Sequence, residues 1–270
     1  MIDQSAAEAE ATADTRTPVI TRRGARIAAG FLIPVFVLAV WQIASTSGAF
    51  TSSQLPSPLM VWEAAVELAQ RGLLGQYIAI STQRALIGFA CGAALGLVLG
   101  AFVGLSRWSD ALFSPTLAAL RAVPSLAWVP LLILWFKIGE DSKIILITIG
   151  AFFPVYTTVA GALKHVDRHL VEAGRAFGLH GVRLFTTIQL PAVLPSVISG
   201  LRLAMAQAWL FLVAAELIAS SMGLGFLLLD SQNNGRTDRL FLAIILLALL
   251  GIITDALLGL FEKWSARRWG

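Results

Sequence analysis

Few side chains in this sequence are placed to do chemistry. Among its 270 residues are three histidines and a single cysteine. His165 and His169 stand four apart, a spacing at which one helix face can present two imidazoles to zinc. No glutamate follows the first of them in the His-Glu-x-x-His order and no cysteine is near. No metal site is assigned, and with Asp167 and Arg168 the pair reads as a solvated helix face. Cys91 lies in an apolar run and reads as a small buried apolar residue. One cysteine excludes a disulfide framework or a thiolate cage within the chain. No Gly-Lys pair occurs, so no P-loop can cradle a nucleotide phosphate. No G-x-S-x-G is present either, and no catalytic residue is assigned.

The remaining candidates are charges within apolar runs, where they are costly and therefore functional suspects. Arg84, Arg121, Arg202, Glu216 and Asp255 are such residues. Arg202 and Glu216, fourteen residues apart, share a helix face to within about 40° but lie about 21 Å apart along the axis, too far to pair. Glu216 and Arg84 each fall near the outer end of a run. An Arg84–Glu216 ion pair, structural or lining a translocation path, is the sharper expectation. The plainer one is that each reaches an interface or pairs elsewhere. Asp255, near an inner end, can reach the headgroups.

The elements that must position these residues follow from composition. Hydrophobic residues make up 57% of the chain and charged ones 13%, against about one-quarter charged in ordinary soluble domains. The fold class is therefore all-α integral membrane protein. Six apolar runs mark the expected spans, 27–45, 78–104, a stretch within 111–138, 144–163, 193–219 and 240–261. The unbroken ones can each cross about 30 Å of hydrocarbon as a helix. Pro115, Pro124 and Pro130 interrupt the third, which predicts an interfacial helix near 110–120 and then a bent span over 125–137. Residues 1–26 read as a polar, disordered cytoplasmic tail and 27–270 as one transmembrane domain. The first run is too long for a signal peptide and reads as a retained span.

A pI near 9.7 could point to nucleic acid, but the basic residues cluster between the apolar runs. With the N-terminus inside, twelve of the twenty lysines and arginines fall in inner segments and five in outer ones. That bias sets both termini in the cytoplasm. It also places the loop of about 164–192 there.

Two patterns stand out within this frame. Gly88, Gly92, Gly96, Gly100 and Gly104 recur every four residues and form a continuous strip on one helix face. Small residues let helix backbones approach in lipid, so the strip predicts close packing, within the chain, at a dimer seam or on a sliding surface. The second pattern is the stretch 172–191, EAGRAFGLHGVRLFTTIQLP, a polar and basic island between two apolar runs. A short helix over 170–177 is expected, then a turn at Gly178 where φ > 0 costs nothing. A second short helix over 179–188 would carry Val182, Phe185 and Ile188 along one side, and Pro191 would open the next span. Helix–Gly–helix makes a knob suited to a groove on a soluble partner. Farther on, the segment 220–239, with Gly223 and Gly225 ahead of 226–229, predicts a short helix tucked against the outer mouth.

Glu172, Ala173, Gly178, Ile188, Leu190 and Pro191 match the Glu-Ala-x-x(3)-Gly-x(9)-Ile-x-Leu-Pro pattern, and the chain resembles the permease subunits of bacterial ATP-binding-cassette importers that carry this loop. The usual third residue of the motif is Ala; here it is Gly174. Leu55-Pro56-Ser57-Pro58, Ala127-Trp128-Val129-Pro130-Leu131, the run from Leu134 to Glu140, Gly150-Ala151-Phe152-Phe153-Pro154 and Ala214-Ala215-Glu216-Leu217-Ile218 are similar to the nitrate, sulfonate and taurine branch. The resemblance covers roughly 50–262. It implies a type I importer permease fold in a bacterial inner membrane, with the island docking on a separate ATPase. It implies as partners two ATPase subunits, a second permease copy, an external solute-binding protein and lipid, with no nucleic acid. No cofactor belongs to this chain; ATP and magnesium would be bound by the ATPase. The solute does not carry over. A secondary carrier or channel would instead show inverted repeats and midplane charges, and a membrane enzyme would need a polar catalytic cluster.

Overall fold

A computed structural model describes residues 19–269, which are mainly helical, with no strand among the described residues. The chain divides into two units, the second beginning at Leu59. The first holds α1 (Val19–Thr46), which starts inside the expected tail, and a loop in which the Trp41 indole donates to the Pro56 carbonyl at 2.9 Å. The rest of that expected tail, 1–18, lies outside the described residues.

The second unit contains α2 (Pro58–Gln70), α3 (Leu73–Leu105), α4 (Arg107–Ala122), α5 (Val129–Phe136), α6 (Glu140–Lys164), α7 (Arg168–Ala176), α8 (Gly181–Leu184), α9 (Leu190–Ala219), α10 (Leu224–Asn233) and α11 (Thr237–Trp269). α2 has no counterpart among the expected spans, because its polar residues interrupt any apolar run. Gly72, at φ 70°, turns the chain from α2 into α3.

α3, α6 and α9 form the central packing, with α6 in the middle. The five strip glycines of α3 all face α6. A Cβ at any of them would come within 2.5–2.9 Å of Ile147, Thr148, Val155, Val159 or Leu163. α6 returns the arrangement toward α9, where Gly150 is seated on the Phe211 ring and Gly200 of α9 on Thr158. Ile147, Ala151, Val155, Ala204, Ala208 and Leu212 are fully excluded from solvent at this junction. Of its apolar window, α9 buries 50% but α11 only 11%. α11 therefore presents most of its surface outward, to lipid or to another chain.

Among the described residues, four helical stretches are long and apolar enough to cross a membrane, those at 73–105, 140–164, 181–218 and 237–265. α4 and the 3-10 turn leading into α5 meet at 83° and would make a fifth if counted together. α4 reaches farther than the expected interfacial helix, to Ala122. The expected span over 125–137 is a 3-10 turn and the eight residues of α5, about 12 Å of helix and too short to cross alone. Pro130 starts α5 and Lys137 stops it with φ 62°.

Cys91 is exposed rather than buried. The glycine strip turns one face of α3 inward, and Cys91 sits on the other. His165 and His169 do not share a helix face. His165 ends α6, its Nδ1 2.8 Å from the Gly161 carbonyl oxygen, while Asp167 caps α7 by accepting from the His169 amide at 2.9 Å.

Candidate functional site

Two constellations sit at opposite ends of α9. The first is the island. α7 closes with the Gly178 amide donating to the Arg175 carbonyl at 2.9 Å and the Leu179 amide to the Gly174 carbonyl at 3.0 Å. This pair of bonds, with Gly178 at φ 77°, is the Schellman closure of a helix. A second glycine, Gly181 at φ 54°, opens α8, a turn that the sequence pattern did not predict.

The expected free-standing helix over 179–188 is not what forms. α8 continues through one π-helical turn, Phe185–Gln189, straight into α9. Pro191 thus lies in a helix that is already running. Nor do Val182, Phe185 and Ile188 make one ridge. Leu184 takes the buried place, at 6% exposure, whereas Val182 is 77% exposed. The π turn shifts the register, so a 3.6-residue count across it misplaces the faces. Gly174 is the buried residue of α7. A Cβ there would lie 2.7 Å from Leu184 and 3.2 Å from Ile188, so the motif's missing methyl is the space those two side chains occupy. Glu172 and Ala173 are exposed, Leu190 and Pro191 partly buried. Phe177, 87% exposed, and Val182 are the large apolar groups the knob presents outward.

The second constellation surrounds Glu216, which is wholly buried. Its carboxylate accepts from Arg84 Nη1 at 2.7 Å, from Ser81 Oγ at 2.8 Å and from the Gly225 amide at 2.8 Å. The last bond caps the start of α10, where a negative charge meets the helix dipole favourably. Ser81 Oγ in turn accepts from the Leu224 amide at 2.8 Å. Gly223, at φ 120°, and Gly225 allow this turn to fold over the carboxylate; a Cβ on Gly225 would stand 2.6 Å from Glu216 Cβ. Arg84, 5% exposed, also grips Glu140 with Nε and Nη2, each at 2.6 Å, and donates to the Met222 carbonyl at 2.6 Å. One guanidinium therefore ties α3, α6, α9 and the turn into α10 together, with all its charge answered. Ser81, Glu140 and the Met222 carbonyl were not legible in the sequence, because they are far apart in the chain and none is unusual locally. A cavity of about 390 Å³ opens beside Arg84 and Glu140, lined also by Gln83, Ile87 and Met222.

Arg202 is held elsewhere. It binds Asp255 with Nε at 3.0 Å and Nη2 at 2.8 Å, and Glu262 at 2.7 Å, which fastens α9 to α11. The Trp209 indole adds a bond to Thr254 Oγ1 at 2.9 Å across the same seam. Farther out, Glu67 of α2 meets Arg239 at 2.9 Å and Arg236 at 3.1 Å. Arg239 first, then Arg236, holds the Glu67 carboxyl below its ordinary value of 4.5.

The comparisons fit this geometry. Residues 92–267 match the family model described as binding-protein-dependent transport system inner membrane component. The protein named as an aliphatic sulfonates transport permease in Escherichia coli (strain K12) is 44% identical over 245 residues, 90% of this chain and 92% of that one. The taurine transport system permease of the same organism is 31% identical over 81% of this chain and 82% of its own. The bicarbonate transport system permease of Synechococcus elongatus is 30% identical over 88% of this chain and 90% of its own. Among solved structures, a chain of the MetNI methionine ABC transporter in inward-facing conformations superposes with a TM-score of 0.65 at 18% identity, over 73% of this chain and 98% of that chain. The fold is that of a type I importer permease.

Proposed function

The chain belongs to the binding-protein-dependent transport system inner membrane components, among the permeases of nitrate, sulfonate and taurine importers, and from that membership we propose how it couples ATP to solute movement. It is a multi-pass permease subunit of an ATP-binding-cassette importer, forming the path for a small solute. It has no catalysis of its own; the ATPase is a separate partner, and members of the family also work with a binding protein.

The working unit in this reading is two permease copies, two ATPases that hold ATP and magnesium, and one external binding protein. Six spans and cytoplasmic termini, supported by the distribution of basic residues, put the knob of α7 and α8 on the ATPase side. Phe177 and Val182 would enter the ATPase groove, with Glu172 and Ala173 at its rim. The observation that carries this is the unbroken helical path from α8 through the π turn into α9. Packing of Leu184 and Ile188 against Gly174 makes the knob stiff, so a displacement imposed on it moves the inner end of α9 rather than deforming a loop. α9 is about 45 Å long. At its far end Glu216 is clamped by Arg84, and along its side Arg202 holds α11. Closure of the ATPases would thus reach α11 and the outer opening through one rigid element. Coupling of this kind requires contacts that differ between the two states. The names of the relatives support a small solute of the sulfonate, taurine or bicarbonate type.

The test is Val182→Asp. Val182 is outward-facing, so the chain should fold and reach the membrane in normal amount. Co-purification of the ATPase should fall at least about tenfold, the result of burying an unpaired charge in an interface. Normal co-purification together with normal vesicle uptake would refute the docking assignment.

A further inference from the structure

We propose that the cavity between α4 and α6 is an oxoanion subsite, read by Arg121; this rests on the permease reading above. Three arginines lie within apolar runs. Arg84 and Arg202 are each held by two carboxylates. Among the described residues Arg121 has no carboxylate within ion-pair distance. It stands in the last turn of α4 and lines a cavity of about 280 Å³ with Ser114, Tyr156, Thr157 and Lys164.

The other polar groups of the wall are largely committed. Lys164 pairs with Asp110 at 2.5 Å, and the Ser114 hydroxyl donates to the same carboxylate. Thr157 Oγ1 donates to the Phe153 carbonyl at 2.9 Å. Asp110 is thus neutralised by Lys164 and does not cancel Arg121. With the Ser114 proton on Asp110, the Tyr156 hydroxyl donates to Ser114 Oγ, 3.4 Å away. The Arg121 guanidinium lining this cavity is the complement of a planar or tetrahedral oxoanion, which accepts two parallel bonds from the arginine fork.

The neighbouring space sets the rest of the ligand. One turn away along α6, a second cavity of about 320 Å³ is lined by Leu120, Trp128, Phe152 and Phe153 and is almost wholly apolar. A ligand with an oxoanion head and a short alkyl tail fits both. Sulfonate, carboxylate and phosphate heads share this chemistry, so the occupant is either a free solute or the headgroup of an anionic lipid.

The experiment uses the full chain in phosphatidylcholine nanodiscs, with 1-propanesulfonate as the probe and saturation-transfer NMR as the readout. The wild type should bind propanesulfonate, and uncharged 1-propanesulfonamide at least about tenfold more weakly, the loss of a charge-assisted bond. Arg121→Gln should weaken propanesulfonate to the same degree, while Arg121→Lys keeps most of the binding. Equal affinity for the two probes, or equal binding by the wild type and Arg121→Gln, overturns the subsite. If phosphatidylglycerol in the disc displaces propanesulfonate from the wild type, the oxoanion site stands with lipid phosphate as its occupant. Recovery of the ATPase with both variants, as with the wild type, shows that the chain is folded and that the permease reading holds whichever way the probe falls. Loss of the ATPase from the wild type would instead undo that reading and leave the probe result intact.

Discussion

Glu216 is an ion that the fold cannot leave unpaired. It is entirely buried and depends on one cation, one hydroxyl and one amide. Breaking a buried pair from one side is far more damaging than removing both partners, since it strands a desolvated charge. Arg84→Met is therefore expected to cost about 3–5 kcal/mol, read as a lowered unfolding midpoint of the purified chain in detergent. Arg84→Met combined with Glu216→Gln should recover a substantial part of that loss. A double variant as unstable as the sum of the singles would mean that the two side chains are energetically independent. Arg202 presents a different case. Its partners Asp255 and Glu262 are partly exposed, so losing one of them leaves no fully desolvated charge behind.

The glycine strip sets the distance between α3 and α6. Gly92→Ala would push a methyl to within 2.6 Å of the Thr148 carbonyl and 2.8 Å of Ala151 Cβ. Backbone cannot yield as a side chain can, so about 1–3 kcal/mol of destabilisation is expected. Gly75, on the same helix, has nothing within 4 Å of the place a methyl would take. Gly75→Ala should be neutral or stabilise by up to about 1 kcal/mol, through helix propensity alone. Thermal unfolding of the two variants side by side separates close packing from a general intolerance of α3 to side chains. In the knob, Gly181→Ala faces no steric neighbour but must hold φ 54°. A strain of about 1–2 kcal/mol follows, and protease sensitivity confined to the knob would report it.

At the scale of the whole molecule, the contact of α2 with the start of α11 is made by ions, so it should respond to pH. Glu67 is held below its ordinary 4.5 by Arg239 and Arg236. A carboxyl whose folded value is depressed stabilises the folded state above its unfolded value and loses that contribution as pH falls through the folded one. The contact of α2 with the start of α11 should therefore be intact above about pH 4.5 and loosen in more acid solution, the window set by that ordinary value. Cross-linking between cysteines placed at the α2–α11 contact should decline on acidification in the wild type. In Glu67→Gln it should be weak at every pH. A decline of the same size in Glu67→Gln would assign the effect to another group.

Membrane residence, the helical class, the long apolar runs, the glycine face of α3 and the α7–Gly178 turn are all legible in the sequence. Each is written by composition or by a period of local spacing, and local spacing is what a helix obeys. What that spacing could not say is which surface each face meets. That the strip of α3 rests on α6, that Arg84 joins Glu140 as well as Glu216, and that Arg202 turns to α11 depend on residues more than fifty positions apart. The errors have the same origin. α8 turns Leu184 inward and Val182 outward, and the π turn at Phe185–Gln189 shifts the helical count for the residues beyond it. Cys91 looked buried because its neighbours are apolar, but in lipid an apolar neighbourhood marks the outside of a helix as readily as its core. Hydropathy reports the solvent a segment lives in. Only the packing of the helices decided which charges are answered, and among the described residues it left Arg121 as the arginine of the apolar runs with no carboxylate partner.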